Sequence, residues 1–206
     1  MTSPEDAVAK RTRSDTLARV VSIALHPFFV FAVLALIAAA RSAPETLGRT
    51  AIGMAVAIAV VAVFIAQRMR GGHWSTVDAS SRSDRPLLYV VALVVTGGYW
   101  LWQGASESTS SSGVLLAMLM LTVAGVANRW IKLSLHMACL AFAAMLMLGL
   151  SQRVAVIALA LLPLLGWSRL RMRRHTLREV IGGTALGLVT WVVFFFTELT
   201  QVATFS

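Results

Sequence analysis

From about residue 20 almost to its end, the chain is a succession of apolar runs long enough to cross a lipid bilayer. A spanning helix needs about 20 mainly apolar residues, within a range of roughly 17–25. Runs of that kind fall near 20–40, 50–69, 87–104, 114–131, 133–150, 153–167 and 180–197. The expected fold is all-α, a polytopic transmembrane helix bundle with six to seven spans. Seven is the preferred count; the short fifth and sixth runs meet at Ser151-Gln152 and form either two spans or a slightly immersed hairpin. Composition agrees: 58% of residues are hydrophobic and 13% charged, far from the half and quarter of soluble domains. A soluble protein is excluded. The single Cys139 excludes an internal disulfide and a cysteine-rich metal site.

Three regions follow. Residues 1–19 read as a polar N-terminal tail, 20–198 as the membrane domain and 199–206 as a short C-terminal tail. Ala38-Ala39-Ala40 is compatible with signal-peptide cleavage, but the apolar run before it exceeds a usual signal core, so a retained first helix is expected. His26-Pro27 reads as a kink in that helix, with His26 as an alternative cavity residue.

The formal net charge of +9 is unevenly placed. With seven spans, one side carries the tail and the 70–86, 129–135 and 168–178 segments. That side holds every Lys and Arg except Arg41, Arg49 and Arg153. The positive-inside rule puts it, and the N-terminus, in the cytosol of a multi-pass cell-membrane protein. The expected partners are the bilayer and an anionic membrane substrate rather than nucleic acid. Oligomeric state is left open.

Three polar segments share that side, and ionisable groups at membrane depth are functional candidates by default. The first runs from Asp78 through Arg82 to Arg85-Pro86, the second from Asn128 through Lys132 and Ser134 to His136, and the third from Ser168-Arg169 through His175 to Glu179 and Gly183. In a helix His175 and Glu179 would stand at i and i+4, on one face. A carboxylate there fixes the imidazole tautomer and suits a nucleophilic or general-base histidine. Arg169 offers a planar fork of donors suited to phosphate. An amphipathic juxtamembrane helix, its arginines snorkelling to headgroups, accounts for this segment equally well by itself.

The spacing Ser168-Arg169-x5-His175-x3-Glu179-Val-x2-Gly resembles the third signature of the type 2 phosphatidic acid phosphatase superfamily, which shares its site with vanadium-dependent haloperoxidases. Glu179 stands where that family usually has Asp. Ser134-Leu-His136 keeps the Ser and His of the second signature, Pro-Ser-Gly-His. Arg85-Pro86 keeps the end of the first, Lys-x6-Arg-Pro, with Asp78 in the Lys place. Order and spacing agree across residues 78–183. The resemblance implies His175 as the phosphorylated nucleophile, Glu179 as its orienting group and His136 as the general acid and later base. It implies Arg85 and Arg169 as phosphate clamps and Ser134 as a phosphate donor, with no metal or other cofactor. Lys132, with Arg129 or Arg82 behind it, is the inferred replacement for the missing lysine.

Other features read as structure. Met118, Met120, Met137, Met145 and Met147 are packing residues. Gly183-x-x-x-Gly187 marks close helix contact. His73 is solvated, and Trp100, Trp102, Trp130 and Trp167 are interfacial anchors. The implied function is an integral-membrane lipid phosphate phosphatase acting on an isoprenoid or glycerolipid phosphate. The alternatives are a phosphotransferase using the same histidine and a non-catalytic lipid-phosphate binder or transporter.

Overall fold

The computed structural model describes residues 13–72, 74, 85–104 and 109–204. Among them there is no strand. Eight α-helices succeed one another: α1 (Arg13–Ala24), α2 (Pro27–Ser42), α3 (Leu47–Arg70), α4 (Arg85–Trp102), α5 (Thr109–Ala127), α6 (Leu135–Leu150), α7 (Gln152–Arg171) and α8 (Leu177–Thr204). Lys10, Arg11, His73, Asp78 and Arg82 lie outside the described residues. Helix α1 starts at Arg13, within the stretch read as a polar tail.

The first expected span is two helices. Proline lacks an amide hydrogen and clashes with the preceding turn, so it belongs at the first position of a helix rather than inside one. Pro27 opens α2 behind the extended N-cap His26, and α1 and α2 meet at a bend of 44°. The break read from His26-Pro27 is present.

Four helical segments are long and apolar enough to cross a membrane: Pro44–Arg70, Arg85–Trp102, Gln152–Arg171 and Leu177–Thr200. The bent α1–α2 pair makes five if counted as one span. The six to seven spans expected from sequence exceed this because the apolar segments Ser111–Ala127 of α5 and Leu135–Leu150 of α6 are shorter. Helix α6 has 16 residues, about 24 Å at the α-helical rise, against a hydrocarbon core of roughly 30 Å.

Burial gives the physical reason that a short α6 is tolerated. It packs against α2, α7 and α8, and the run His136–Ala144 is buried throughout. A helix sheltered by protein over most of its length need not match the bilayer thickness. Helices α3, α4, α7 and α8 instead turn large apolar residues outward, among them Val63, Val94, Ile157 and Phe196. A surface of that kind suits lipid, not water.

The close fit of α8 to α6 is written in glycine. A methyl group at Gly183 would overlap the Ser134 carbonyl oxygen, and one at Gly187 would overlap that of Ala138. The Gly183-x-x-x-Gly187 seam is thus the contact expected from its spacing. Met120, Met137 and Met147 are buried, as is Cys139, in keeping with their reading as packing residues. Trp102 and Trp130 are exposed at or just beyond helix ends.

Candidate active site at one end of the bundle

Every expected site residue within the described chain lies at the same end of the bundle. Arg85 is the first residue of α4, Ser134 caps α6, His136 is in its first turn, Arg169 is in the last turn of α7, and Glu179 is in the first turn of α8. His175 sits in the joint between α7 and α8.

The joint has a defined shape. The amide of Arg173 donates to the Leu170 carbonyl (2.9 Å) and that of Arg174 to the Arg169 carbonyl (3.1 Å), while Arg173 adopts a left-handed φ of 52°. This is the Schellman way of ending a helix, with arginine where glycine is usual. Helix α8 then opens on a capping box. Thr176 N donates to Glu179 Oε2 at 3.0 Å, and Glu179 N donates to Thr176 Oγ1 at 3.4 Å. The pattern Thr176-x-x-Glu179 is the sequence signature of such a box. It gives Glu179 a structural duty beside its chemical one.

The same Oε2 lies 3.0 Å from Nδ1 of His175, and the Lys132 carbonyl lies 3.2 Å from that nitrogen. On the other side of the ring, Arg85 Nη2 lies 3.2 Å from Nε2. A guanidinium has donors and no acceptor, so Nε2 carries the lone pair. Nδ1 faces two acceptors and carries the proton. The ring's three polar neighbours therefore fix its tautomer, and Nε2 is the nitrogen left able to attack. His175 is buried.

Arg85 is itself buried, and its Nη1 donates to the Leu133 carbonyl at 2.9 Å. That bond ties α4 to the strand-like approach to α6. The adjacent Ser134 N donates to the Glu179 carbonyl at 3.1 Å, tying the same approach to α8. Ser134 Oγ is fully buried and has no hydrogen-bond partner among the described residues. A buried hydroxyl left unsatisfied costs about 1–3 kcal/mol, and such atoms are uncommon in folded proteins. Lys132 meets the site through its carbonyl oxygen.

Arg169 is 1% exposed, and its Nη1 donates to Ser22 Oγ of α1 at 2.6 Å. Next to it, Ser168 Oγ donates to the Ala18 carbonyl at 2.6 Å. Helix α1 is thereby fastened to α7 and backs the arginine. His136 meets the ring of His26 edge to face, with centroids 5.0 Å apart. Sequence reading missed Ser22 and set His26 mainly to bending the chain. The signal for Ser22 was slight, a serine within an amphipathic helix.

His26, Arg85, His136 and Arg169 line one end of a cavity of about 880 Å³ walled mainly by α2, α3, α4, α5 and α6, with Arg169 of α7 and Phe194 of α8 also facing it. His175 stands behind Arg85, bonded to it. Among the described residues, no three His, Cys, Asp or Glu side chains gather as a metal site.

No family model, no curated protein and no solved structure matches the chain. What the site can do rests on its own geometry: a histidine with an aimed lone pair, a carboxylate behind it, two buried guanidiniums and a second histidine on a cavity wall.

Proposed function

We propose that the protein is an integral membrane phosphatase that hydrolyses a lipid phosphate or diphosphate through a phosphohistidine, as its resemblance to the type 2 phosphatidic acid phosphatase superfamily implies. The observation that carries this reading is the arrangement of His175 between Glu179 and Arg85. Nε2 would attack phosphorus as the bond to the leaving oxygen breaks. Glu179 would hold the proton-bearing nitrogen and stabilise the charge that develops on the ring. The Arg85 hydrogen bond now occupies the Nε2 lone pair, and phosphate oxygens are stronger acceptors for the same guanidinium. Entering phosphate would draw Arg85 off the nucleophile and onto itself. Arg169 would clamp from α7, with the Ser134 hydroxyl available to a phosphate oxygen. His136 would protonate the departing oxygen and then activate water against the phosphohistidine. Phosphoryl transfer asks mainly for positioning and charge stabilisation, and these residues supply both.

The fuller topology belongs to the same proposal. Taking α1–α2 as one broken span and adding α3 to α8 gives seven crossings of a cell membrane. The site end then coincides with the Arg- and Lys-rich side, which the charge bias assigns to the cytosol.

The test is phosphate release by the purified chain in detergent with EDTA present, from a panel of prenyl and glycerolipid phosphates. Release that vanadate blocks and His175→Ala abolishes is the expected result. Phosphate recovered on an added lipid or sugar acceptor would instead establish a transferase. Binding that survives His175→Ala, without turnover by the native chain, would establish a non-catalytic binder.

A further inference from the structure

The cavity does not stop at the cation cluster. From His26, Arg85, His136 and Arg169 it continues along the inner faces of α2, α4 and α6 to Ala43, Gln103 and Leu150 at the opposite end of the bundle. From His136 to Leu150 on α6 is about 21 Å at the helical rise. One leaflet's share of the hydrocarbon core is about 15 Å. Its middle stretch is walled by apolar residues, with Ala39 of α2, Ala92 of α4 and Ala117 of α5 leaving space where larger side chains would fill it, and its far end carries the neutral polar groups of Thr50, Tyr99 and Gln103. Cations at one end and an apolar passage beyond them, reaching neutral polar groups at the far end about 20 Å away, describe a container for an amphiphile with an anionic head.

Resting on the lipid-phosphate reading above, we propose that this cavity seats one hydrocarbon tail longer than a single leaflet. The substrate class is then the phosphate or diphosphate ester of a single long-chain alcohol, not a two-tailed glycerolipid phosphate. In one leaflet such a tail must fold back or cross the midplane, whereas here it lies extended beside α6. The polar head stays at the end where Arg85 and Arg169 converge. A two-tailed lipid would have to bring both chains into the same passage.

Depth along the cavity supplies the test. Ala92 lies about 10 Å along α4 from Arg85, and Ala39 about 20 Å along α2 from His26. Ala92→Trp blocks the passage near its head end and Ala39→Trp near its far end. The full chain carrying His175→Ala, which cannot turn over, is purified and mixed with polyprenyl monophosphates of graded length and with phosphatidic acid. Retention is read by native mass spectrometry. The expected result is retention that rises with chain length, with phosphatidic acid held less well than the longest prenyl phosphate. Ala92→Trp should weaken all but the shortest ligand by at least about tenfold, and Ala39→Trp only the longest, because each indole fills the passage at its own depth. Retention of the shortest ligand shows that each variant is folded. Equal weakening at every length, no weakening at any length, or phosphatidic acid held as tightly as the longest chain would overturn the tail site. Phosphate release by the chain without His175→Ala, measured on the same series, separates the two readings. Length-graded retention without release sinks the phosphatase and keeps the tail site; release indifferent to both tryptophans does the reverse.

Discussion

The contacts of His175 with Arg85, Glu179 and the Lys132 carbonyl together decide its chemistry more than its position in the chain does. Acceptors at Nδ1 and a pure donor at Nε2 leave one tautomer. Glu179 is central to this because one oxygen serves both the imidazole and the amide of Thr176. Glutamine at this position keeps the reach for the cap, since capping boxes accept either residue, but it removes the negative charge behind the ring. Glu179→Gln should therefore leave the thermal midpoint within a few degrees of the parent while lowering kcat by about 100-fold or more. Phosphate release and a melting curve on one preparation check it. A loss of stability as large as the loss of rate would reduce Glu179 to a helix cap.

Between elements, the tightest constraint is the seam of α8 on α6. Gly183 lies against the backbone of Ser134, and the amide of Ser134 in turn bonds to the Glu179 carbonyl. The seam thus sets the register of the second polar segment against the third. Gly183→Ala requires the two backbones to part, because the overlap is with a carbonyl and no flexible side chain can yield. We expect a lower thermal midpoint together with loss of phosphate release, although Gly183 would touch no substrate. Gly98→Ala in α4 is the control. A methyl group there meets nothing within 4 Å, and alanine is the better helix former by up to about 1 kcal/mol, so stability should hold or rise. A Gly183→Ala protein as stable and active as the parent would remove the seam from the account of the site.

For the molecule as a whole, the question is how many times the backbone crosses and which way it faces. Seven crossings with the basic side in the cytosol put the C-terminus outside. A reporter fused after Ser206 should be active only in its exported form. A cytosolic signal would mean an even number of crossings or the opposite orientation, and the latter would move the site to the other leaflet. The central α6 bears on the count, because its short length is excused by the protein that covers it from His136 to Ala144. Length and hydropathy are therefore a poor guide to whether it crosses.

What the residues determined by themselves follows from short-range physics. Apolar runs near bilayer length must be helical where no water can satisfy the backbone, and the all-α architecture is legible from them. Pro27 broke the first run, since a proline amide cannot continue a helix. The i, i+4 spacing put His175 beside Glu179, and Gly183-x-x-x-Gly187 announced a close contact without naming the partner. What only the tertiary structure decided depends on residues distant in the chain. Arg85 reaches His175 across 90 positions and Arg169 reaches Ser22 across 147, and no local pattern encodes such pairings. The same holds for the lengthwise cavity, whose walls come from seven helices, α2 to α8, and for α6, whose apolar run looks in sequence like one that faces lipid. Hydrophobicity marks a residue for removal from water. Whether lipid or protein replaces the water is settled only when the other helices close around it.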